Sequence, residues 1–378
     1  MKAGIITHYD VHNHGAQLQM YALAIVLKEL GCDEAKALRF KKSYDFMGAE
    51  KADKKYNISL KSIPTYLDYL YKNGLKRTFY NIVKRKKLAD FRDEYGLVGE
   101  YYSEANNLDV AVIGSDEIFS IESGLNPCFY GMGVPCKKII SYAASFGPTD
   151  IDFIKKHKAE KFVEAGLKNI DEISVRDFNS HEIIKHYTGK EVPIVCDPVL
   201  LYGFPKEINS EDTACFKNNI KEKYCIVYSY DNNMNETQTV KAISNFAKNN
   251  GLKVYSVAYF HKWCDRNIQV SPLDIFKWFV CADMVFTDTF HGTVLSLICN
   301  TNFIAKLRGN SNKLGFLLDE YGLKKRIIED LDNLERLYTE KIDYSTVNIL
   351  LAEKRKKSIN YLRKYLGLEK NEIAYEKR

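Results

Sequence analysis

Short apolar runs that end on glycine, serine or aspartate, each followed by a stretch of helical periodicity, recur along all 378 residues and restrict the fold more than any other feature. Lys2 to Thr7 reads as a buried strand, Asn13-His-Gly-Ala breaks the chain, and Leu18, Ala22, Ile25 and Val26 repeat at helical spacing up to Gly31. Leu108 to Ile113 is a second strand, ending on Gly114-Ser-Asp116, and Lys138 to Ala143 a third, entering Ala144-Ser-Phe-Gly-Pro148. A helical stretch from about Ile151 leads to a strand at Glu172 to Val175, the pair Arg176-Asp177, and a closing run at Val192 to Cys196. The second half repeats the alternation. Strands are expected at Tyr224 to Ser229, Leu252 to Ala258, Met284 to Thr287 and Phe303 to Leu307, with helices at Glu236 to Asn249, Pro272 to Cys281 and Thr293 to Cys299. This pattern predicts an α/β protein of two Rossmann-like, doubly wound domains.

Asp197 to about Asp212, mostly polar and with two prolines, is the best linker. It sets an N-terminal domain at 1–205, with a basic helical insertion at about 57–95, and a C-terminal domain at 206–344. Residues 345–378 read as one charged amphipathic helix with Ile349, Leu350, Ile359, Leu362 and Leu366 as its apolar members, packing back across both domains.

Composition narrows the class. Apolar residues at 46% and charged residues at 28% exclude a disordered chain. A net charge of +6 nominates no nucleic-acid partner. Nine scattered cysteines, with no C-x-x-C pair, suggest neither a zinc knuckle nor a disulfide framework, and a reducing cytoplasm fits best. No leader sequence can be drawn, and no apolar run approaches the ~18 residues that span a bilayer. Peripheral attachment at the inner membrane face stays open. Residues 72 to 92 carry Lys72, Lys76, Arg77, Lys84, Arg85, Lys86, Lys87 and Arg92 against Asp90 alone, interleaved with Leu75, Phe79, Ile82, Val83 and Phe91. An anionic membrane surface could attract such a helix, but an ordinary amphipathic helix with a solvated basic face is the preferred reading, because charge runs alone rarely specify a partner.

Doubly wound sheets bind ligands outside the carboxyl ends of their strands, so the loops named above are expected to converge on a central cleft between two facing domains. The richest is Thr287-Asp288-Thr289-Phe290-His291-Gly292-Thr293, whose helix start suits an anion through backbone N–H groups at Gly292 and Thr293. The next strand delivers Lys306 and Arg308 to a neighbouring turn, describing a phosphate or carboxylate subsite together with Asp288. His291 is the leading acid/base candidate, with a plain helix cap as the other reading. Arg176 could reach out as a bidentate clamp or pair internally with Asp177, Asp171 or Asp197. Asp116 and Glu117 follow Gly114-Ser115 at a strand tip, where a carboxylate suits sugar hydroxyls or a proton; Ser115 is counted with the substrate-binding residues, and Asp116 could equally cap a helix. Asn13 and Gln17, beside His14-Gly15, are assigned to the acceptor side. His8, His12, His14 and Asp10 allow a metal site by spacing alone, without a repeated ligand pattern to support it. No GxGxxG or GxxxxGK[ST] stands at these turns.

In order along the chain stand Gly4-Ile-Ile-Thr7 with Asn13 and Gly15-Ala-Gln-Leu-Gln19, then Gly114-Ser-Asp116, Ser141-Tyr-Ala-Ala-Ser-Phe-Gly147, Ser174-Val-Arg-Asp177, Asp197-Pro-Val-Leu200 and Asp288-Thr-Phe-His-Gly292. Over about residues 1 to 315 this set resembles the polysaccharide pyruvyl transferase family. The resemblance implies two Rossmann-like domains in a GT-B-like arrangement. It also implies transfer of pyruvate from phosphoenolpyruvate to two hydroxyls of one sugar, giving a cyclic ketal in the synthesis of surface glycans such as exopolysaccharide or capsule. The acceptor would be a saccharide, lipid-linked or nucleotide-linked. His291 and Arg176 match the positions that the family associates with the donor, and no metal or other cofactor is implied.

Two positions depart from the family pattern. Many members have an arginine where this chain has Thr289, and Gln-Ile-Trp where it has Glu117-Ile118-Phe119. Lys306 or Arg308 could supply the missing positive charge from the adjacent turn. Two other classes fit the same outline: a GT-B glycosyltransferase with a nucleotide-sugar donor, and a catalytically silent saccharide-binding relative.

Overall fold

A computed structural model describes residues 1–41, 63–122, 124–308, 312–328 and 333–368, with backbone alone at 63–73 and 312. It divides into two compact units. One comprises Met1–Ile82, Ala89–Tyr202 and Lys354–Arg378, and the other Val83–Leu88 and Gly203–Glu353.

The first unit is built on a parallel sheet of β1 (Lys2–Ile6), β2 (Glu34–Arg39), β3 (Val98–Tyr101), β4 (Leu108–Ile113) and β5 (Cys136–Ser141), in the order β3-β2-β1-β4-β5. β1 and β4 are buried on both faces over nearly their whole length, as is usual for the central strands of a parallel sheet. The helix His14–Glu29 follows β1, with Asn13 as its N-cap. Ile6, Ala111, Ile113, Phe119, Phe146, Val163 and Ile183 belong to one buried cluster. The strands expected at Glu172 to Val175 and Val192 to Cys196 are corrected. These stretches form only the isolated bridges Ile140↔Glu172, Ala144↔Val175 and Val175↔Ile194. Side chains take over part of the ladder there: Ser141 Oγ donates to the Ser174 carbonyl at 2.9 Å and accepts from its N–H at 3.0 Å.

The basic helix runs Ile63–Glu94 with a break at Gly74, where φ is 73°. The part of the expected insertion at 57–62 lies outside the described residues. The final helix, Tyr344–Leu366, reaches the first unit through Ser358, whose Oγ accepts from Cys196 N at 3.0 Å, and Tyr361, whose hydroxyl donates to Ser141 O at 2.9 Å. Its apolar face differs from the expected one at Ile349, which is exposed. Val347 and Leu351 are buried instead, continuing the spacing of Leu362 and Leu366.

The second unit holds β6 (Tyr224–Tyr228), β7 (Lys253–Val257), β8 (Arg266–Ile268), β9 (Met284–Thr287), β10 (Phe303–Lys306) and β11 (Ile327–Ile328), all parallel in the order β11-β10-β9-β6-β7-β8. Counted from β6, that is the 3-2-1-4-5-6 order of a dinucleotide-fold sheet. The stretch read as a polar linker is corrected as well: it forms the helices Pro198–Tyr202, Pro205–Ile208 and Glu211–Asn219, and Asp197 to Phe204 are buried. Among the described residues no helix is long and apolar enough to cross a membrane.

Candidate functional site

The order in which the chain adds strands reverses between β1 and β4 in the first sheet and between β6 and β9 in the second. Such switch points leave a crevice at the strand ends. The singled-out residues gather at these two places.

In the first unit, Thr7 Oγ1 donates to the Ser115 carbonyl at 3.4 Å and His8 Nε2 lies 3.4 Å from the Glu117 carbonyl, tying the two switch-point loops together. The loop after β4 turns against β5 so closely that a Cβ on Gly114, at φ +123°, would lie 2.2 Å from the Tyr142 carbonyl oxygen. Only glycine serves there. Asp116 follows in the left-handed region, at φ 73°. Its carboxylate accepts from one terminal nitrogen of Arg176 at 3.1 Å, and the other terminal nitrogen donates to Asp197 at 3.1 Å.

The Arg176 side chain is 1% exposed, Asp197 0% and Asp116 19%, so of the two carboxylates it is Asp116 that comes within reach of solvent. Burial alone would pull the guanidinium pKa down, but Asp116 and Asp197 outweigh it and hold the value above the ordinary one. Asp197 is further fixed by Gln19 Nε2 and by the Val199 N–H at 2.9 Å. The outward-reaching clamp expected of Arg176 is therefore corrected. It makes internal ion pairs, with Asp197 as anticipated and with Asp116 in addition. No helix starts at Asp116, so it is not an N-cap.

Ser115 is buried, and its Oγ has no hydrogen-bond partner among the described residues. Asn13 Oδ1 accepts from Gly15 N at 2.9 Å. Gln17, assigned to the acceptor side, is fully buried and donates to the carbonyls of Tyr9 at 3.0 Å and Val11 at 3.1 Å, pinning the loop that follows β1.

In the second unit, Thr287 Oγ1 donates to the Tyr228 carbonyl at 2.7 Å and accepts from Thr289 N at 3.1 Å, fastening the end of β9 to β6. The helix Phe290–Ile298 starts three residues before the expected Thr293. Thr289, in the position where many relatives carry arginine, is its N-cap, accepting from Gly292 N at 3.0 Å. Thr293 N donates to the Thr289 carbonyl at 3.3 Å, and the buried Thr293 hydroxyl points to the same oxygen at 3.4 Å. The anion cradle expected from Gly292 and Thr293 is corrected, since the turn uses both N–H groups itself. Gly292 has a packing role, because a Cβ there would lie 2.0 Å from Thr287 Oγ1.

Beside this cap stands an ion pair: Arg308 Nε lies 2.8 Å from Asp288 Oδ2, with the Arg308 side chain 42% exposed and that of Asp288 1%. Burial pushes the Asp288 pKa up, and Ser229 and Arg308 oppose it. His291 is buried on the first turn of the helix, its ring edge-on to Phe290 at 5.4 Å. Lys306 turns elsewhere, to Thr239 Oγ1 at 2.9 Å and Glu236 Oε2 at 3.4 Å, so of the two cations it is Arg308 that borders the Asp288 loop. Residues 309–311, which follow Arg308 in the sequence, lie outside the described residues.

Sequence reasoning missed the loop after β6. Tyr230 is 43% exposed there and lies 5.8 Å from the Arg308 guanidinium carbon. Its ring is 5.4 Å from that of Tyr259, over which the ammonium of buried Lys84 sits at 4.0 Å. Burial lowers the Lys84 pKa to about 8, with Asp231 acting the other way. The signal was available: Ser229-Tyr230-Asp231 follows a strand's carboxyl end, the rule applied to the other loops.

No curated protein matches the sequence significantly. Among solved structures, the chain is similar to the *Methanocaldococcus jannaschii* UDP-GlcNAc 2-epimerase bound to UDP-GlcNAc and UDP, with TM-score 0.51, 13% identity, and 97% of this chain and 99% of that one covered. A *S. aureus* MnaA–UDP structure gives TM-score 0.51 and 10% identity, covering 97% and 96%. At such identities the likeness concerns the fold, two Rossmann-like units of GT-B type. The family model for polysaccharide pyruvyl transferase matches residues 13–308, which contain Asp116, Arg176, Asp288, His291 and Arg308. The chain belongs to the polysaccharide pyruvyl transferase family.

Proposed function

We propose that this transferase moves pyruvate from phosphoenolpyruvate to two hydroxyls of one sugar and releases phosphate, in the assembly of a surface glycan. Family membership over residues 13–308 carries this reading. The exposed guanidinium of Arg308, paired with Asp288 three positions before His291 in the chain, supports it by bringing a cation to the loop from which that imidazole's helix starts.

The reaction needs no oxidant. A proton adds to the methylene carbon of the enol phosphate, and the first sugar hydroxyl bonds to the adjacent carbon and loses its proton. The second hydroxyl then bonds to that same carbon as the carbon–oxygen bond to phosphate breaks, its proton leaving with hydrogen phosphate. We assign the donor's negative charge to Arg308, proton delivery to His291, and receipt of a hydroxyl proton to Asp116. Arg176 keeps Asp116 in place through its second bond to Asp197.

The test incubates the full chain with phosphoenolpyruvate and a panel of lipid-linked and nucleotide-linked saccharides, reading phosphate release and an added pyruvyl mass. His291→Ala should lower turnover by about 100-fold or more, and Arg308→Ala should mainly raise KM for the donor. Phosphate release from none of the acceptors, with thermal stabilisation by a nucleotide-sugar but not by phosphoenolpyruvate, would reject this reading in favour of glycosyl transfer.

A further inference from the structure

The basic helix Ile63–Glu94 presents large apolar side chains to water. Leu75, Phe79 and Ile82 are 77%, 68% and 59% exposed. With Lys86 they follow at steps of four, three and four residues, which sets all four on one helix face. The opposite face, with Tyr80, Lys84, Leu88 and Phe91, is buried. Leu75 is the first residue after the break at Gly74. Single exposed leucines are ordinary on protein surfaces, whereas an adjoining row of large apolar side chains marks a contact.

Its setting selects the kind of contact. Lys76, Arg85 and Lys86 are exposed around the row, and no carboxylate occurs from Gly74 to Lys86. A second copy of the chain docking face to face would set these cations against their own copies with no carboxylate on the segment to answer them. An anionic bilayer answers both features: its headgroups neutralise the cations and the boundary beneath them accepts the apolar side chains. Lys86, on the apolar line itself, can lay its alkyl stem beside Ile82 and reach the headgroups with its ammonium.

We propose that the face formed by Leu75, Phe79, Ile82 and Lys86, flanked by Lys76 and Arg85, docks this protein on an anionic membrane surface. The inference stands apart from the donor and acceptor chemistry above.

Co-sedimentation of the full chain with phosphatidylcholine vesicles, with and without phosphatidylglycerol, tests it. The chain should bind the phosphatidylglycerol vesicles and be released by salt. Partitioning should fall at least about tenfold in Leu75→Ser/Phe79→Ser/Ile82→Ser and in Lys76→Glu/Arg85→Glu/Lys86→Glu, with unchanged thermal midpoints. Phe79→Ser alone provides the reading should a triple variant fold poorly. Failure to bind anionic vesicles overturns the proposal, as does equal binding by the wild type and all variants. A dimer that the serine variant dissociates, without vesicle binding, assigns the face to self-association instead.

Discussion

Arg176 shows how much of the first unit's site depends on one side chain. Replacing it with Met leaves Asp197 fully buried without its cation, an uncompensated charge that costs about 3–5 kcal/mol. Chemical denaturation should show that loss, and Arg176→Lys should recover only part of it, because an ammonium lacks the fork that reaches both carboxylates. Lys84 has the opposite sign. Its folded pKa of about 8 lies below the ordinary 10.5, so the unfolded chain holds the proton more tightly. The resulting penalty is fully present below about pH 8 and fades as pH rises toward 10.5. Lys84→Met should therefore stabilise the protein by up to roughly 3 kcal/mol at pH 7, with the gain shrinking by pH 10. An equal gain at both values would show that the ammonium is not the source. Of these partners the sequence offered only Asp197, as one of three candidates for Arg176. Arg176 meets carboxylates 60 and 21 positions away, and Lys84 meets a ring on a strand-end loop far along the chain.

Among the elements, the cap at Thr289 sets the geometry around His291. Thr289→Ala should cost about 1 kcal/mol through loss of the bond to Gly292 N. Gly292→Ala should cost about 1–3 kcal/mol through collision with Thr287 and Tyr228, with activity falling alongside. Thermal midpoints and turnover of the two variants check both. The elements legible beforehand were those whose apolar runs are uninterrupted, such as β4 and β9, found at the same bounds as expected. β2 was missed because Glu34-Ala-Lys-Ala-Leu-Arg39 is rich in helix formers, and only its pairing with β1 and β3 makes it a strand. β8 and β11, of three and two residues, are too short to show any period. The strand-end rule located the Asp288 and Asp116 loops. It could not say which N–H groups the Thr289 cap would consume.

At the scale of the molecule, neither unit is one continuous stretch of chain. The second borrows Val83–Leu88 from the basic helix, and the first takes back Lys354–Arg378 after the second is complete. Deleting residues 354–378 removes Ser358, Tyr361 and Leu362 from the first unit's interior. It should lower the thermal midpoint by the equivalent of several kcal/mol of lost burial, whereas an unchanged midpoint would show that this segment is dispensable. Asp197–Asp212 reads as a boundary because prolines and polar residues cluster there, and the chain does pass from one unit to the other within it, after Tyr202. Those residues start and cap short helices, as with Pro205 and Ser210, rather than forming a polar loop.

The return of the final helix bears on how the protein is made. As the chain leaves the ribosome, the first sheet can assemble long before Ser358 and Tyr361 are synthesised, and until then the Cys196 amide and the Ser141 carbonyl must turn to water or to a chaperone. Completion of the first unit thus awaits a segment made after the chain of the second, so the order of synthesis and the order of assembly differ.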